Sequence, residues 1–216
     1  MNNIESILKN IANNHTTEKI REFNKHLLAL RSEFMDFQLV SSLIISVIPE
    51  WKRLIGCKQH LTHDFTLDNH TLLVIKKILD SKEYSDLVKY DKLVLLYSAI
   101  LHDIEKAEGQ VDHSHPEKGA KQSCKILNNL GFNDNFIADV CNIIFNHQIL
   151  GRIAIDQIIF EPEVLKNRVK TYRMLCLLAI FSIADIKSVK KDEGFFKDSI
   201  GIKITKLVDE MKSYFE

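Results

Sequence analysis

Six residues of this 216-residue sequence have side chains typical of transition-metal ligands and lie in or beside apolar helical patterns. They are His70, His102, Asp103, His115, His147 and Asp185. His102 and Asp103 are adjacent, so a nitrogen ligand and a carboxylate can close on one cation. Such a mixed set suits Mn, Fe, Zn, Co or Ni better than an all-oxygen magnesium or calcium cage. The pattern predicts a site for one or two divalent metal ions.

The His-Asp pair follows a run of apolar residues with helical spacing: Leu93, Leu96, Tyr97 and Ile100. This spacing predicts a helix with one buried face, which carries the pair into the interior. His70 lies on the apolar face of a second predicted helix, for which Thr66 is the expected N-cap. His147 ends an apolar stripe that begins at Phe136. A core histidine bonded to a backbone carbonyl is the alternative interpretation for His70.

Asp185 interrupts a nearly continuous apolar run from Met174 to Ile186. A buried unpaired carboxylate costs several kcal/mol, so it needs a base, a hydrogen-bond network or a metal. Arg152, Arg168 and Arg173 are available as partners in place of a metal.

His115 lies in a loop after Gly109 and directly before Pro116. Pro116 fits the first position of a helix, which places His115 at the cap, and Gly119 allows another helix to come close. A solvated pair of histidines is the alternative, and His113 competes with His115 as the ligand.

Together these ligands predict phosphate-ester hydrolysis. Two metal ions about 3.5–4 Å apart can generate hydroxide at neutral pH and hold the oxygens of a phosphoryl group.

The elements that must position these residues are helices. With 7 Gly, 3 Pro and 45% hydrophobic residues, the chain has little turn chemistry for a large sheet, and we expect an all-α fold. Residues 1–56 are predicted to be an N-terminal helical extension packed on the core, and residues 57–216 the main domain. In the extension, two helical segments are expected from Ile4 to about Ile48. They are separated by a break around residues 13–15, and Thr16 or Thr17 is the expected cap of the second helix, which Pro49 ends. Its apolar stripe could be core or a homodimer surface; it contains Phe23, Leu27, Leu30, Phe34, Phe37 and Ile44.

Composition limits the partners and the location. Lys+Arg and Asp+Glu are both 29, which gives no electrostatic footprint for duplex nucleic acid or an anionic membrane. No apolar run approaches the ~20 residues that span a bilayer. The first residues lack the layout of a signal peptide, so a cytoplasmic protein is expected. All four cysteines are predicted to be reduced; they are Cys57, Cys124, Cys141 and Cys176.

Five segments resemble the HD-domain metal-dependent phosphohydrolases and occur in that family's order. They are His63–Leu72, Leu101–Lys106, Asp112–Ala120 around His115, Asn146–His147 and Ile183–Lys187. The segments are most similar to the HD domain of bacterial protein uridylyltransferase/uridylyl-removing enzymes, with tRNA nucleotidyltransferase HD domains also similar. The resemblance implies an HD-domain helical bundle and covers roughly Cys57 to Val189.

The resemblance also implies roles for individual residues. His70, His102, Asp103 and Asp185 would hold the first metal, and Asp103 would bridge to a second metal bound by His115 and His147. Lys106 would contact the substrate phosphate and offset charge in the transition state. A metal-activated hydroxide would be the nucleophile. His63 and His113 are candidates for the general acid. Glu105 stands where the family usually has Gly or Ala.

The sequence therefore predicts a metal-dependent phosphohydrolase that cleaves a nucleotide-like phosphomonoester or phosphodiester, with a small phosphorylated or nucleotide molecule as substrate. The alternative is a non-catalytic HD module that binds a nucleotide or a partner and regulates. A closed site with Glu105 pointing inward would favour the module, and an open cleft at Lys106 would favour the enzyme.

Overall fold

The computed structural model describes residues 16–61, 63–189 and 194–216, and these residues form helices and no strand. The all-α prediction is confirmed. The helices are α1 Thr16–Ala29, α2 Phe37–Val47, α3 Leu67–Asp80, α4 Lys82–Asp86, α5 Lys89–Leu101, α6 His115–Asn129, α7 Asp134–Asn146, α8 Ile149–Ala154, α9 Pro162–Val169, α10 Tyr172–Lys187 and α11 Gly194–Met211. Short 3-10 helices cover Ser32–Phe34, Pro49–Leu54 and Lys212–Tyr214.

Helix α5 lies at the centre of the bundle. It packs against α1, α3, α6, α7 and α10, and every residue from Val94 to Leu101 is buried. A helix that is apolar all round belongs in an interior, because it leaves no face for solvent. Helix α10 packs against α3, α7 and α11. The helices that begin or end at the predicted ligands therefore all contribute to the core.

Between Thr16 and Ile48 the chain forms two helices where the sequence predicted one. Helix α1 ends at Ala29 and α2 begins at Phe37. The physical reason is a new N-cap, since the Asp36 carboxylate accepts hydrogen bonds from the amides of Gln38 and Leu39. Phe34 lies in the turn between the helices and is 86% exposed, so its predicted place in the stripe is wrong.

The rest of the apolar stripe is core. Phe23, Leu27 and Ile44 are fully buried, with α1 packed on α5 and α2 packed on α3. The indole Nε1 of Trp51 donates a hydrogen bond of 3.0 Å to the carbonyl of Ile100, which ties this segment to the end of α5. This face of the N-terminal helices is therefore buried against other helices of the same chain. The domain boundary at residue 56 stays a prediction.

Helices α6 and α7 pack closely on each other. Gly131 has a left-handed φ of +80° just after α6, and Asn133 caps the start of α7 by accepting a hydrogen bond from the amide of Phe136. The side chains of Cys124 and Cys141 meet between the two helices, with their Sγ atoms 2.34 Å apart. That all four cysteines are reduced stays a prediction.

Helix α11 closes the bundle against α8 and α10. The helical segment expected before Thr16 lies outside the described residues, as do residues 190–193. Within the described ranges, every helix is too short or too polar to cross a lipid bilayer.

Gly119 on α6 permits a close approach that a side chain would prevent. A Cβ atom at this position would lie 2.8 Å from the carbonyl oxygen of His102, whereas a Cβ at Gly201 on α11 would meet Ile183 at an ordinary 3.6 Å. We expect Gly119→Ala to lower the free energy of unfolding by about 1–3 kcal/mol. Gly201→Ala, the matched control, should be neutral or stabilising by up to about 1 kcal/mol, because alanine favours helices. Urea unfolding of both variants checks this, and equal stabilities would contradict it.

Candidate metal centre

All six predicted ligands lie at or beside helix ends. They are His70 in the first turn of α3, His102 and Asp103 after α5, His115 at the start of α6, His147 after α7 and Asp185 in the last turn of α10. The C-terminal ends of α5, α7 and α10 bring partial negative charge to this place, and the N-terminal ends of α3 and α6 bring partial positive charge.

His70, His102 and Asp185 form the first cluster. The Nε2 atom of His70 lies 3.0 Å from Oδ1 of Asp185 and 3.3 Å from Nε2 of His102. The distance from His102 Nε2 to Asp185 Oδ1 is 3.8 Å. Both imidazoles are buried, and the side chain of Asp185 is 17% exposed.

Asp103, His115 and His147 form the second cluster, and all three are buried. The Nε2 atoms of His115 and His147 are 3.2 Å apart, and His115 Nε2 lies 3.3 Å from Oδ1 of Asp103. That carboxylate oxygen is buried and accepts no hydrogen bond. A buried acceptor without a donor is costly, so its place between two ligand nitrogens suits a cation.

Asp103 also faces the first cluster. Its other oxygen, Oδ2, lies 3.5 Å from Nε2 of His102 and 3.7 Å from Nε2 of His70. One carboxylate therefore presents one oxygen to each cluster, which is the geometry that a bridging ligand needs.

Backbone carbonyls fix the orientation of all four imidazoles. The Nδ1 atom of His102 lies 2.9 Å from the carbonyl of Ala99, and that of His147 lies 2.7 Å from the carbonyl of Ile144. The same contact joins His70 Nδ1 to Ser188 at 3.2 Å, and His115 Nδ1 to Asp112. Because a carbonyl only accepts, each Nδ1 carries the hydrogen and donates it. Each Nε2 lone pair then faces the cluster, as in metal-bound histidine.

Burial and charge set the protonation of the site. Burial lowers the pKa of His102 from 6.5 to about 4 and also lowers the pKa of His115, so both are neutral near pH 7. Burial opposes ionisation of Asp103 and Asp185, but their neighbours outweigh it. His102 and Lys106 hold the pKa of Asp103 well below its usual range, and His70 does the same for Asp185. Neutral imidazoles and ionised carboxylates are the forms that bind metals.

His70 behaves differently, because burial lowers its pKa but the hydrogen bond and charge of Asp185 outweigh burial and raise it. In the absence of a metal, a proton on His70 can occupy the position between the ligands. A bound cation would displace that proton.

Lys106 lies next to the clusters. Its ammonium group donates hydrogen bonds to Oδ2 of Asp103 at 2.9 Å and to Oε1 of Gln59 at 2.7 Å. The amide of Gln59 in turn donates to the carbonyl of Phe65 at 3.0 Å. Gln59 has no part in the sequence prediction, because a single polar residue in a loop carries no periodicity that would mark it.

An open cleft of about 420 Å³ leads to the site, and Asp103, Lys106, His115, His147 and Asp185 line it. Further lining residues come from the α5–α6 loop, α8, the end of α10 and α11; they include Gln110, His113, Gln148, Arg152, Ile155 and Lys197. The sequence analysis considered Arg152 only as a possible partner of Asp185 and did not predict that Lys197 lines the cleft.

The structure also locates the alternatives that the sequence left open. Asp185 pairs with His70, while Arg173 binds Asp91 and Asp139 instead. His115 lies in the second cluster, and His113 is an exposed residue of the cleft wall.

Glu105 and His63 are the other residues that the sequence singled out near this site. Glu105 forms an ion pair of 2.7 Å with Arg53 and does not line the cleft. His63 does line it and packs edge-on against His70, where burial lowers its pKa to about 4.

Comparisons with known proteins match this region. A family model described as HD domain matches residues 67–188. The bifunctional uridylyltransferase/uridylyl-removing enzyme of Bordetella pertussis is 30% identical over 155 residues, which are 65% of this chain and 18% of that protein. The enzyme of the same name from Vibrio atlanticus is 26% identical over 187 residues, with 78% and 21% covered. The chain therefore spans about one fifth of the length of these relatives.

The lowered pKa of His102 predicts acid sensitivity of the metal-free protein. Between pH 6.5 and pH 4 the unfolded chain binds a proton at this histidine and the folded chain does not, so stability falls as the pH falls. The difference corresponds to about 3 kcal/mol. We expect His102→Gln to remove a large part of this pH dependence, as measured by urea unfolding of metal-stripped protein at pH 4–7.

His26→Gln on α1 serves as the control and should keep the pH dependence of the parent protein. An identical pH dependence in the parent and in His102→Gln would show that His102 does not carry it.

Proposed function

Because the chain belongs to the HD-domain family, we propose that it is a metal-dependent phosphohydrolase acting on a nucleotide-like phosphomonoester or phosphodiester. The observation that carries the proposal is the position of Asp103, with one carboxylate oxygen toward each of two clusters. A site for one structural ion does not need such a shared ligand, and a pair of ions that act on one phosphoryl group does.

The donor atoms fit one or two divalent transition-metal ions. Two pairs of Nε2 atoms face each other, His70 with His102 at 3.3 Å and His115 with His147 at 3.2 Å. Without a metal, a proton on His70 can bridge the first pair, and a bound cation would displace it. In the second pair the hydrogens lie on Nδ1, so the Nε2 lone pairs repel, and a cation held by this cluster would remove the repulsion and satisfy Oδ1 of Asp103. Divalent ions at these positions would activate water and polarise the phosphoryl group at neutral pH. Mn, Fe, Zn, Co and Ni all accept such a nitrogen and oxygen set.

The residues of the chain supply positioning and charge. Asp103 and Asp185 stay ionised, and the carbonyl-bonded histidines keep their Nε2 atoms aimed at the site. Lys106 has three donors on its ammonium group, two of which are engaged by Asp103 and Gln59. The third is available for a phosphate oxygen in the cleft. Charge developing on that oxygen in the transition state would be stabilised there, where the side chain is only 11% exposed.

The open cleft favours an enzyme over a binding module. Glu105 is held by Arg53 outside the cleft, and Lys106 lines a cleft with room for a phosphate ester. An outward Glu105 and an open cleft at Lys106 are the two features expected of an enzyme and not of a closed regulatory module.

Elemental analysis tests the ligand set. We expect close to two divalent ions per chain in the protein, about one after His102→Ala or His115→Ala, and a larger loss after Asp103→Asn, because Asp103 faces both clusters. Hydrolysis of nucleotide esters with added Mn, Fe, Co, Ni or Zn should fall with the metal content.

His113→Ala is the matched control, since His113 lies only two residues from His115 but outside the cluster. It should keep the full metal content. Unchanged metal content and hydrolysis in His102→Ala and Asp103→Asn would refute the site. Bound metal and nucleotide without turnover would support the module.

Lys106→Gln should lower kcat by about a hundredfold while the metal content stays at the parent value, because the lysine touches substrate and Asp103 but no ion. Steady-state kinetics and elemental analysis on the same sample check this. Lys121→Gln, on the exposed side of α6, is the control for a lost positive charge. A Lys106→Gln variant with parental kcat would contradict the assigned role.

A further inference from the structure

We propose that Gln59 is a positioning residue that holds the ammonium group of Lys106 in the orientation required for catalysis. This inference rests on the proposed function, because it concerns the lysine that would contact the substrate phosphate. Gln59 does not itself line the cleft, so it would act on the substrate only through Lys106.

Two acceptors hold the ammonium group of Lys106. Oδ2 of Asp103 lies 2.9 Å from its Nζ atom, and Oε1 of Gln59 lies 2.7 Å from the same atom. An ammonium group has three N–H donors and turns freely about its bond to Cε when a single acceptor holds it. Two acceptors fix this rotation, and with it the direction of the third N–H group, which would donate to the phosphate. Gln59 therefore sets the direction in which the lysine can bind a substrate oxygen.

The side-chain amide of Gln59 is itself held in one orientation. Because an ammonium group only donates, the atom of this amide that faces Lys106 is the oxygen. The Nε2 atom of Gln59 donates a hydrogen bond of 3.0 Å to the carbonyl of Phe65, which stabilises that same orientation. A continuous chain of hydrogen bonds thus runs from the backbone at Phe65 through Gln59 and Lys106 to the carboxylate of Asp103.

The backbone around Gln59 is also fixed, because hydrogen bonds join it to two neighbouring segments. The carbonyl of Lys58 accepts a hydrogen bond of 2.9 Å from the amide of Gly109 in the α5–α6 loop. The carbonyl of Cys57 accepts one of 2.9 Å from the amide of Leu67, the first residue of α3. Gln59 is therefore anchored both to the loop that contains the lysine and to the start of the helix that holds a ligand of the first cluster.

A neutral amide suits this role better than a charged side chain would. With Asp103 alone, the ammonium group would be drawn to Oδ2, the carboxylate oxygen that faces the first cluster. Gln59 provides a second acceptor without neutralising the positive charge that binds a phosphate oxygen. The side chain of Lys106 is only 11% exposed, so water is a poor substitute for the lost acceptor. Removal of the Gln59 oxygen should therefore leave the lysine charged but misdirected.

The test is a double-mutant cycle on the manganese-loaded protein, with p-nitrophenyl phosphate and bis(p-nitrophenyl) phosphate as monoester and diester substrates. We expect Gln59→Met, which removes the acceptor at similar side-chain length, to lower kcat by about tenfold and to leave KM within about twofold. In the Lys106→Gln background the same replacement should have no further effect, because the positioning acts only through the lysine. Gln59→Glu, which keeps an oxygen acceptor of equal reach, should have an intermediate kcat. Gln38→Met, which replaces an exposed glutamine of α2, is the control and should keep the parental kcat.

Calorimetric titration of the parent protein, the two single variants and the double variant with orthovanadate separates this inference from the proposed function. Vanadate adopts the five-coordinate geometry of phosphoryl transfer and binds without turnover. Binding that weakens by about tenfold in Gln59→Met but not further in the double variant than in Lys106→Gln, without hydrolysis of any ester, would support the positioning role and refute the enzyme.

Two other outcomes would contradict the inference. Hydrolysis with parental kcat in Gln59→Met, or with the same loss repeated in the Lys106→Gln background, would overturn the positioning role and leave the enzyme standing. A repeated loss of this kind would mean that Gln59 only stabilises its loop. Absence of both hydrolysis and vanadate binding would overturn the positioning role and the enzyme together.

Discussion

The buried carboxylate of Asp103 is the constraint on which the rest of the structure depends. It stays ionised in the interior with three imidazoles within 3.7 Å of its two oxygens, and burial of such a charge is tolerated only when cations or donors surround it. Lys106 supplies one cation, and the geometry of the nitrogen atoms leaves room for more. The core holds helix α5, which carries Asp103, and the ends of the neighbouring helices place the imidazoles around its carboxylate.

Helix termini solve two problems at once. The last turn of a helix leaves carbonyls without an intrahelical partner, and the carbonyls of Ala99 and Ile144 meet this need by accepting hydrogen bonds from His102 and His147. The same bonds fix which nitrogen of each imidazole faces inward. The end of a helix thus satisfies its own backbone and prepares a ligand with one contact. His115, at the start of a helix, uses the carbonyl of Asp112 in the preceding loop for the same purpose.

Sequence reasoning reached the all-α class and collected the six residues that form the two clusters. Apolar periodicity indicated which side of each helix is buried, whereas the division of the ligands into two sets came from the resemblance to the HD-domain family. It did not find the break between α1 and α2, since the Asp36 cap competes with a continuous apolar stripe and only tertiary packing decides between them. The choice between His113 and His115 also required three dimensions, because a loop has no periodicity. Gln59 escaped detection because its role arises from Lys106, which is distant in the sequence.

The ligands span residues 70 to 185 and come from five helices that meet only in the finished bundle. No single helix or hairpin holds a complete cluster, since the first joins α3, α5 and α10 and the second joins α5, α6 and α7. A metal ion would therefore bind the native chain far better than any partly folded one, and its binding free energy would add to the cooperativity of folding. A bound ion would thus stabilise the assembled bundle against unfolding, and the supply of metal in the cell would then affect the lifetime of the folded protein.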